Sequence, residues 1–171
     1  MLDVRLVPTA DEYVERFHAA VDSVARERRY LALLEAPPID STRQFVQRIV
    51  EGGGVQRLAV TPAGAVVGWC DIVRIPFDGF RHVGRLGMGV LIDFRGRGLG
   101  RRLAVETIRA ARREGIERIE LEVFASNTVA LELYRRLGFV TEGVRRRARK
   151  LDGQDDDNVV MALIEGEGPA E

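Results

Sequence analysis

The 171-residue chain has almost no lysine: of its 26 cationic side chains, only Lys150 is not an arginine. That bias follows GC-rich coding more often than function. It also leaves the glycine-rich segments without the Gly-Lys-Ser/Thr of a nucleotide P-loop. A single cysteine, Cys70, excludes an internal disulfide framework and suits a reducing cytoplasm. Cys70 falls in a strand-like run, where it reads as a small buried hydrophobe rather than a nucleophile. No apolar run approaches the roughly 20 residues of a membrane helix. The N-terminus lacks the cationic-then-apolar order of a signal peptide, so a cytoplasmic chain away from the membrane is expected. Neither sign of charge is in excess, with 26 acidic residues against 26 basic. Bulk charge therefore does not suggest a nucleic-acid partner, although a local basic patch stays open. No His/Cys/Asp/Glu group has metal-ligand spacing, which predicts no metal. A Ser-His-Asp hydrolase would lack its nucleophile elbow.

What is present is a single α/β pattern with neither repeat nor linker, spanning residues 1–171 with 165–171 as a frayed tail. Leu2–Val7 alternates like a half-buried strand. Tyr13, Phe17, Ala20, Val21 and Val24 form a helical stripe that fades near Leu34 and stops at Pro37-Pro38. Asp40 or Ser41 can cap a second helix carrying Phe45, Val46, Ile49 and Val50, which Gly52-Gly53-Gly54 ends. Strands follow at Val55–Thr61, Ala65–Ile75 and about Arg81–Ile92. A helix is predicted from Leu99 to about Glu114, a strand around Ile119–Val123, and a short helix over Thr128–Leu137. An antiparallel pair, Phe139–Arg147 and Asn158–Ile164, closes the chain across a polar turn at Asp152–Asp157. The order β-α-α-β-β-β-α-β-α-β-β implies one mixed layer structure with about four helices.

Between the third of those strands and its helix lies Arg95-Gly96-Arg97-Gly98-Leu99-Gly100. Glycines permit left-handed turns and close approach to a ligand, and the free amides and dipole of a helix start favour an anion. Arg95, Arg97, Arg101 and Arg102 add positive charge, so the chemistry is that of a phosphate or diphosphate site. The spacing Gly-x-Gly-x-Gly departs from a dinucleotide fingerprint and comes late in the chain for one. Glu120 would be the ribose-binding acid of that poorer reading.

Arg95-x-x-Gly98-x-Gly100 resembles the Arg/Gln-x-x-Gly-x-Gly/Ala signature of the GCN5-related N-acetyltransferases (the GNAT superfamily). A second block agrees: Leu121-Glu122-Val123-Phe124-Ala125-Ser126-Asn127, then Ala130, Tyr134 and Leu137-Gly138-Phe139. The resemblance covers about Val83 to Leu163 and looks closest to bacterial amino-acid N-acetyltransferases. It implies a mixed, mostly antiparallel sheet whose fourth and fifth strands splay around acetyl-CoA. It further implies direct transfer to a small-molecule primary amine such as an amino acid. Protein N-terminal acetylation or a non-catalytic acyl-CoA-binding regulator are the alternatives, and a homodimer is left open.

The same resemblance assigns roles. The backbone of Met88, Val90 and Leu91 would hold the pantetheine arm like an added strand. Arg95, Arg97, Gly98, Leu99, Gly100, Arg101 and Arg102 would hold the pyrophosphate, though Arg95, Arg97 and Arg102 also suit solvated surface charges. Asn127 would touch the CoA arm while capping the helix that follows it. Tyr134 would donate its proton to the leaving thiolate, since a phenol of pKa about 10 stays protonated at neutral pH; otherwise it is a core tyrosine. Glu122 would serve as the base for the amine, or be part of a solvated strand face with Glu120. Glu35 would bind the acceptor or be merely exposed. Asp71 and His82 are further base candidates.

Overall fold

The computed structural model of the chain describes residues 3–166; residues 167–171, most of the expected frayed tail, lie outside it. Seven strands form one sheet in the order β1-β2-β3-β4-β5-β7-β6. In chain order the elements are β1 (Arg5–Pro8), α1 (Val14–Ala25), α2 (Ile39–Arg48), β2 (Gly54–Val60), β3 (Val66–Arg74) and β4 (Val83–Val90). Then come α3 (Leu99–Arg113), β5 (Arg118–Phe124), α4 (Thr128–Arg136), β6 (Val140–Leu151) and β7 (Gln154–Ile164). Every neighbouring pair is antiparallel except β4 and β5. The expected element order, the mixed sheet and the four helices are all found.

Alternation along the strands sends two sets of apolar side chains to opposite faces. Leu99 and Leu103 of α3 are fully buried in one core with Ile116, Ile119 and Met161. On the other face, Val14, Phe17, Val24 and Val46 of α1 and α2 cover Leu58, Val60 and Trp69. The Phe17 ring meets Trp69 edge-on at 5.7 Å. Trp69 in turn lies across Gly89, where an added Cβ would come within 2.2 Å of the indole. Any side chain there would have to displace the indole.

The parallel strands β4 and β5 pair only at their starts, Val83–Arg85 with Arg118–Glu120. Beyond that point β4 keeps β3 and β5 keeps β7, so the sheet opens from Leu86 to Val90 on one side and from Leu121 to Phe124 on the other.

Two expectations need correction. The first helix ends at Ala25 rather than near Leu34. Arg28 turns left-handed (φ 57°), and the Asp22 carboxylate accepts both the Arg26 guanidinium at 2.7 Å and the Ala36 amide at 2.9 Å. Those bonds fold residues 26–38 back as an irregular loop. The closing hairpin is also longer than expected, because the turn is Asp152-Gly153 alone, both residues at positive φ as a two-residue hairpin turn requires. The acidic run Asp155–Asp157 is strand, facing the basic run of β6.

Candidate active site

The opening between β4 and β5 is a cleft of about 900 Å³. Its β4 wall includes Met88 and Val90; Leu91 lies outside it, with its amide bonded to the Val67 carbonyl at 3.0 Å. At one end stands the glycine loop. Gly96 and Gly98 have φ of 71° and 77°, and Gly98 is the N-cap of α3 with no side chain capping the helix. The first-turn amides of Leu99, Gly100 and Arg101 thus face this end of the cleft, a setting for an anion. Gly100 packs closely, since a Cβ there would meet Met88 at 3.3 Å.

The arginines of the loop divide. Arg101 lines the cleft; Arg97 and Arg102 do not, and Arg102 reaches back to the Val4 carbonyl at 3.4 Å. Arg95 lines the cleft, yet its guanidinium is fully engaged. Nε donates to the Val90 carbonyl at 2.8 Å, and the two Nη atoms donate to Glu27 at 2.8 and 2.5 Å. The same group lies 4.7 Å over the Tyr30 ring. Its charge is strengthened chiefly by Glu27, which raises its pKa further. Arg95 therefore ties the loop after β4 to the loop after α1.

At the start of α4, the Asn127 side chain accepts the Ala130 amide at 3.2 Å, so it caps the helix and lines the cleft at once. Tyr134, about two turns further on, is 6% exposed, meets Phe139 at a tilt with ring centres 5.6 Å apart and lines the cleft. Burial, with the nearby Cys70 and Asp71, pushes its pKa above the ordinary phenol value, which keeps the proton on the ring oxygen. Cys70 is itself wholly buried and its thiol is pushed up by the same desolvation, so it packs as the expected hydrophobe.

Another part of the cleft is assembled from segments that local sequence pattern does not connect. Glu122 and Phe124 project from β5, Asn158 from β7 and Arg149 from β6, with Arg29 and Tyr30 of the 26–38 loop closing over them. Glu122 accepts Arg145 at 2.9 Å and the Asn158 amide at 2.5 Å. Arg149 stacks 4.4 Å over Phe124 and donates to the carbonyls of Arg28 and Arg29 at 2.5 and 3.1 Å. Arg28 pairs with Asp152 at 2.8 Å. Glu35 does not line the cleft; it is exposed and meets only Arg26, at 3.5 Å. His82 is exposed at the closed foot of β4, where its carbonyl accepts the amides of Glu117 and Arg118. Glu27, Arg29, Tyr30 and Arg149 carried no sequence signal, since each acts through partners distant in the chain. Among the described residues no group of three or more His, Cys, Asp or Glu could hold a metal ion, and no helix is long and apolar enough to cross a membrane.

A sheet split at a parallel β4–β5 pair, with an anion-binding turn at one end and a buried tyrosine beside the gap, is the architecture of an acyl-CoA-binding transferase fold. A profile of the Acetyltransferase (GNAT) family matches residues 18–139, and the chain belongs to that family. It is 40% identical over 96 residues to the N-alpha-acetyltransferase RimI of Mycobacterium tuberculosis, covering 54% of this chain and 56% of that protein. It is 28% identical over 128 residues to the L-amino acid N-acetyltransferase AaaT of Escherichia coli, covering 74% and 79% respectively. The fold matches a GNAT phosphinothricin acetyltransferase from Sinorhizobium meliloti, solved in complex with AcCoA, at a TM-score of 0.89. That match has 18% identity and covers 99% of this chain and 92% of that one. The chain thus spans just over half the length of the mycobacterial relative.

Proposed function

We propose that the protein transfers an acetyl group from acetyl-CoA directly to the primary amine of a small carboxylate-bearing molecule such as an amino acid. The donor would lie in the cleft with its pyrophosphate on the amides of Leu99–Arg101, its pantetheine along Met88 and Val90, and its thioester near Tyr134. The observation that carries the acceptor class is the pair Arg29 and Arg149. Both line the cleft, and neither has an acidic partner among the described residues. Two guanidiniums without counter-charge favour an anionic group on the substrate. Glu122, bonded to Arg145 and Asn158, supplies the opposite charge that attracts and orients an ammonium.

In the reaction, the amine attacks the thioester carbonyl while a backbone amide of β4 stabilises the developing oxyanion. As the C–S bond breaks, Tyr134 donates its phenolic proton to sulfur. Tyr134→Phe should lower kcat by roughly 10²–10⁴-fold with CoA affinity unchanged by calorimetry. A wild-type kcat would remove the acid role.

A second reading, acetylation of protein N-termini, draws on the N-alpha-acetyltransferase relative. Thiol release should be followed with acetyl-CoA and a panel of free amino acids, their amides and short peptides. Preference for free amino acids over their amides is expected. Turnover confined to peptides would replace the first reading with the second, and binding without release for any amine would leave only a CoA-binding role.

A further inference from the structure

An acceptor ammonium must lose a proton before its nitrogen can attack, and Glu122, the carboxylate that lines the cleft, is already bonded to a guanidinium and an amide. A second carboxyl lies beside the same floor. Asp71 of β3 is 8% exposed and stands in register opposite Gly87 of β4, a residue that lines the cleft. Its Oδ1 is only 3.2 Å from where a Cβ on Gly87 would sit. The carboxyl thus lies against the backbone of Gly87, with no side chain of that residue between it and the cleft. On its other flank is Gln56 of β2, paired with Asp71 in register and 1% exposed. Neither atom of that amide is in bonding geometry with any protein group. An acid beside an unsatisfied amide, in a sheet face otherwise covered by apolar residues of α1 and α2, is costly to bury. Such placements cluster at working sites.

We propose that Asp71 is the proton acceptor for the substrate ammonium, reached over the bare backbone of Gly87. The inference rests on the acetyltransferase reading above. Burial pushes the Asp71 carboxyl up to about 7. An α-ammonium has a pKa near 8, so passing its proton to an ordinary carboxylate near 4 is about 10⁴-fold uphill. Passing it to Asp71 is about tenfold uphill. The groups around Asp71 do not supply a competing charge. Gln56 and Gly87 flank it on β2 and β4, and α1 and α2 present apolar residues to this face. Cys70 and Tyr134, which feel its field, are both held in their neutral forms.

The step balances without a further reactant. One ammonium proton passes to Asp71, the freed lone pair forms the C–N bond, and the C–S bond breaks with its electrons on sulfur. Sulfur takes the Tyr134 proton, the proton shed by the new amide nitrogen restores the phenol, and Asp71 releases its proton to solvent.

The test compares wild type and Asp71→Asn on two amines: the best amino acid from the acceptor panel, and hydroxylamine, which is already neutral at pH 7. For the amino acid, Asp71→Asn should lower kcat/KM by roughly 10²–10⁴-fold and abolish the acidic limb of the pH profile near pH 7. For hydroxylamine the loss should be less than about threefold, and acetyl-CoA affinity should not move. Gly87→Ala, which puts a methyl group between carboxyl and cleft, should show the same dependence on the amine. Equal losses on both amines, no loss on either, or an amine-dependent loss in Glu122→Gln in place of Asp71→Asn would overturn the assignment. A wild type that releases no CoA with any amine tested removes the acetyltransferase reading itself and this inference with it.

Discussion

Asp71 can be tested without any substrate, through stability. A carboxyl whose pKa rises on folding binds its proton more tightly in the folded state. Between the ordinary value of 3.8 and the folded value of about 7, the unfolded chain has lost that proton while the folded chain keeps it. Stability then falls as pH rises, by about 1.4 kcal/mol per pH unit, and levels off above pH 7. Across the whole window the cost reaches about 4 kcal/mol, a large share of a typical folding free energy.

Asp71→Asn keeps the shape and removes the titration. Whatever the amide gains or loses in contacts is independent of pH, and every other titrating group cancels in the difference between the two proteins. The stability of Asp71→Asn relative to wild type should therefore grow by about 3 kcal/mol between pH 5 and pH 8, nearly all of it below pH 7.5. For a chain of this size that corresponds to roughly 6–12 °C in midpoint. Urea unfolding followed by the fluorescence of the single tryptophan, Trp69, at several pH values would measure it. Parallel stability curves for the two proteins across this range would refute the buried, proton-holding state of Asp71 and weaken its assignment as the base.

Two other perturbations address the donor end and the loop that roofs the cleft. Gly98→Trp places an L side chain at a φ of 77°, costing about 1–2 kcal/mol in strain, and sets an indole over the first turn of α3. CoA affinity by calorimetry should fall at least about tenfold with the fold intact, and an unchanged affinity removes the loop as the pyrophosphate site. Glu27→Gln breaks the bidentate bond to Arg95, a pair with side chains only 25–28% exposed, and should destabilise the chain by about 1–3 kcal/mol. Hydrogen exchange should rise in residues 28–36 while CoA affinity stays near wild type; unaltered exchange would show that the pair does not hold the loop.

How far the sequence was legible depends on the distance over which each signal acts. The strands, the glycine turn and the caps are local: Gly96 and Gly98 adopt the left-handed conformations their spacing suggested, and Asn127 caps α4 as its position before Thr128 implied. Helix α1 was overextended because Leu31, Leu33 and Leu34 continue a rough apolar rhythm. What ends the helix is a side-chain contact, Asp22 to the Ala36 amide, which no periodicity records. The final hairpin was cut short because an acidic run reads as a turn. In the folded chain Asp155 bonds Arg147 at 2.6 Å, and Asp157 accepts the Arg147 amide at 2.7 Å where that residue bulges at a φ of 52°.

Arg95 shows the same limit at the site. Its place in the signature suggests a phosphate contact, whereas its donors go to Glu27, 68 positions earlier, and to the Val90 carbonyl. Arg149 makes the matching tie from the other half of the sheet, to carbonyls about 120 positions away. The 26–38 loop is thus fastened to both lips of the open sheet. Arg149 lies beyond the residues matched by the family profile, which end at 139. The residues proposed to hold the donor all lie within the shared segment. The proposed acceptor site would draw in part on β6, outside that segment, and the relatives' names differ, an N-alpha-acetyltransferase in one case and an L-amino acid N-acetyltransferase in another. If the loop and β6 select the substrate together, exchanging β6 alone removes the Arg149 guanidinium from the loop carbonyls, and exchanging the loop alone leaves Arg149 facing a backbone it was not fitted to. Both would have to be replaced to move activity from one amine to another.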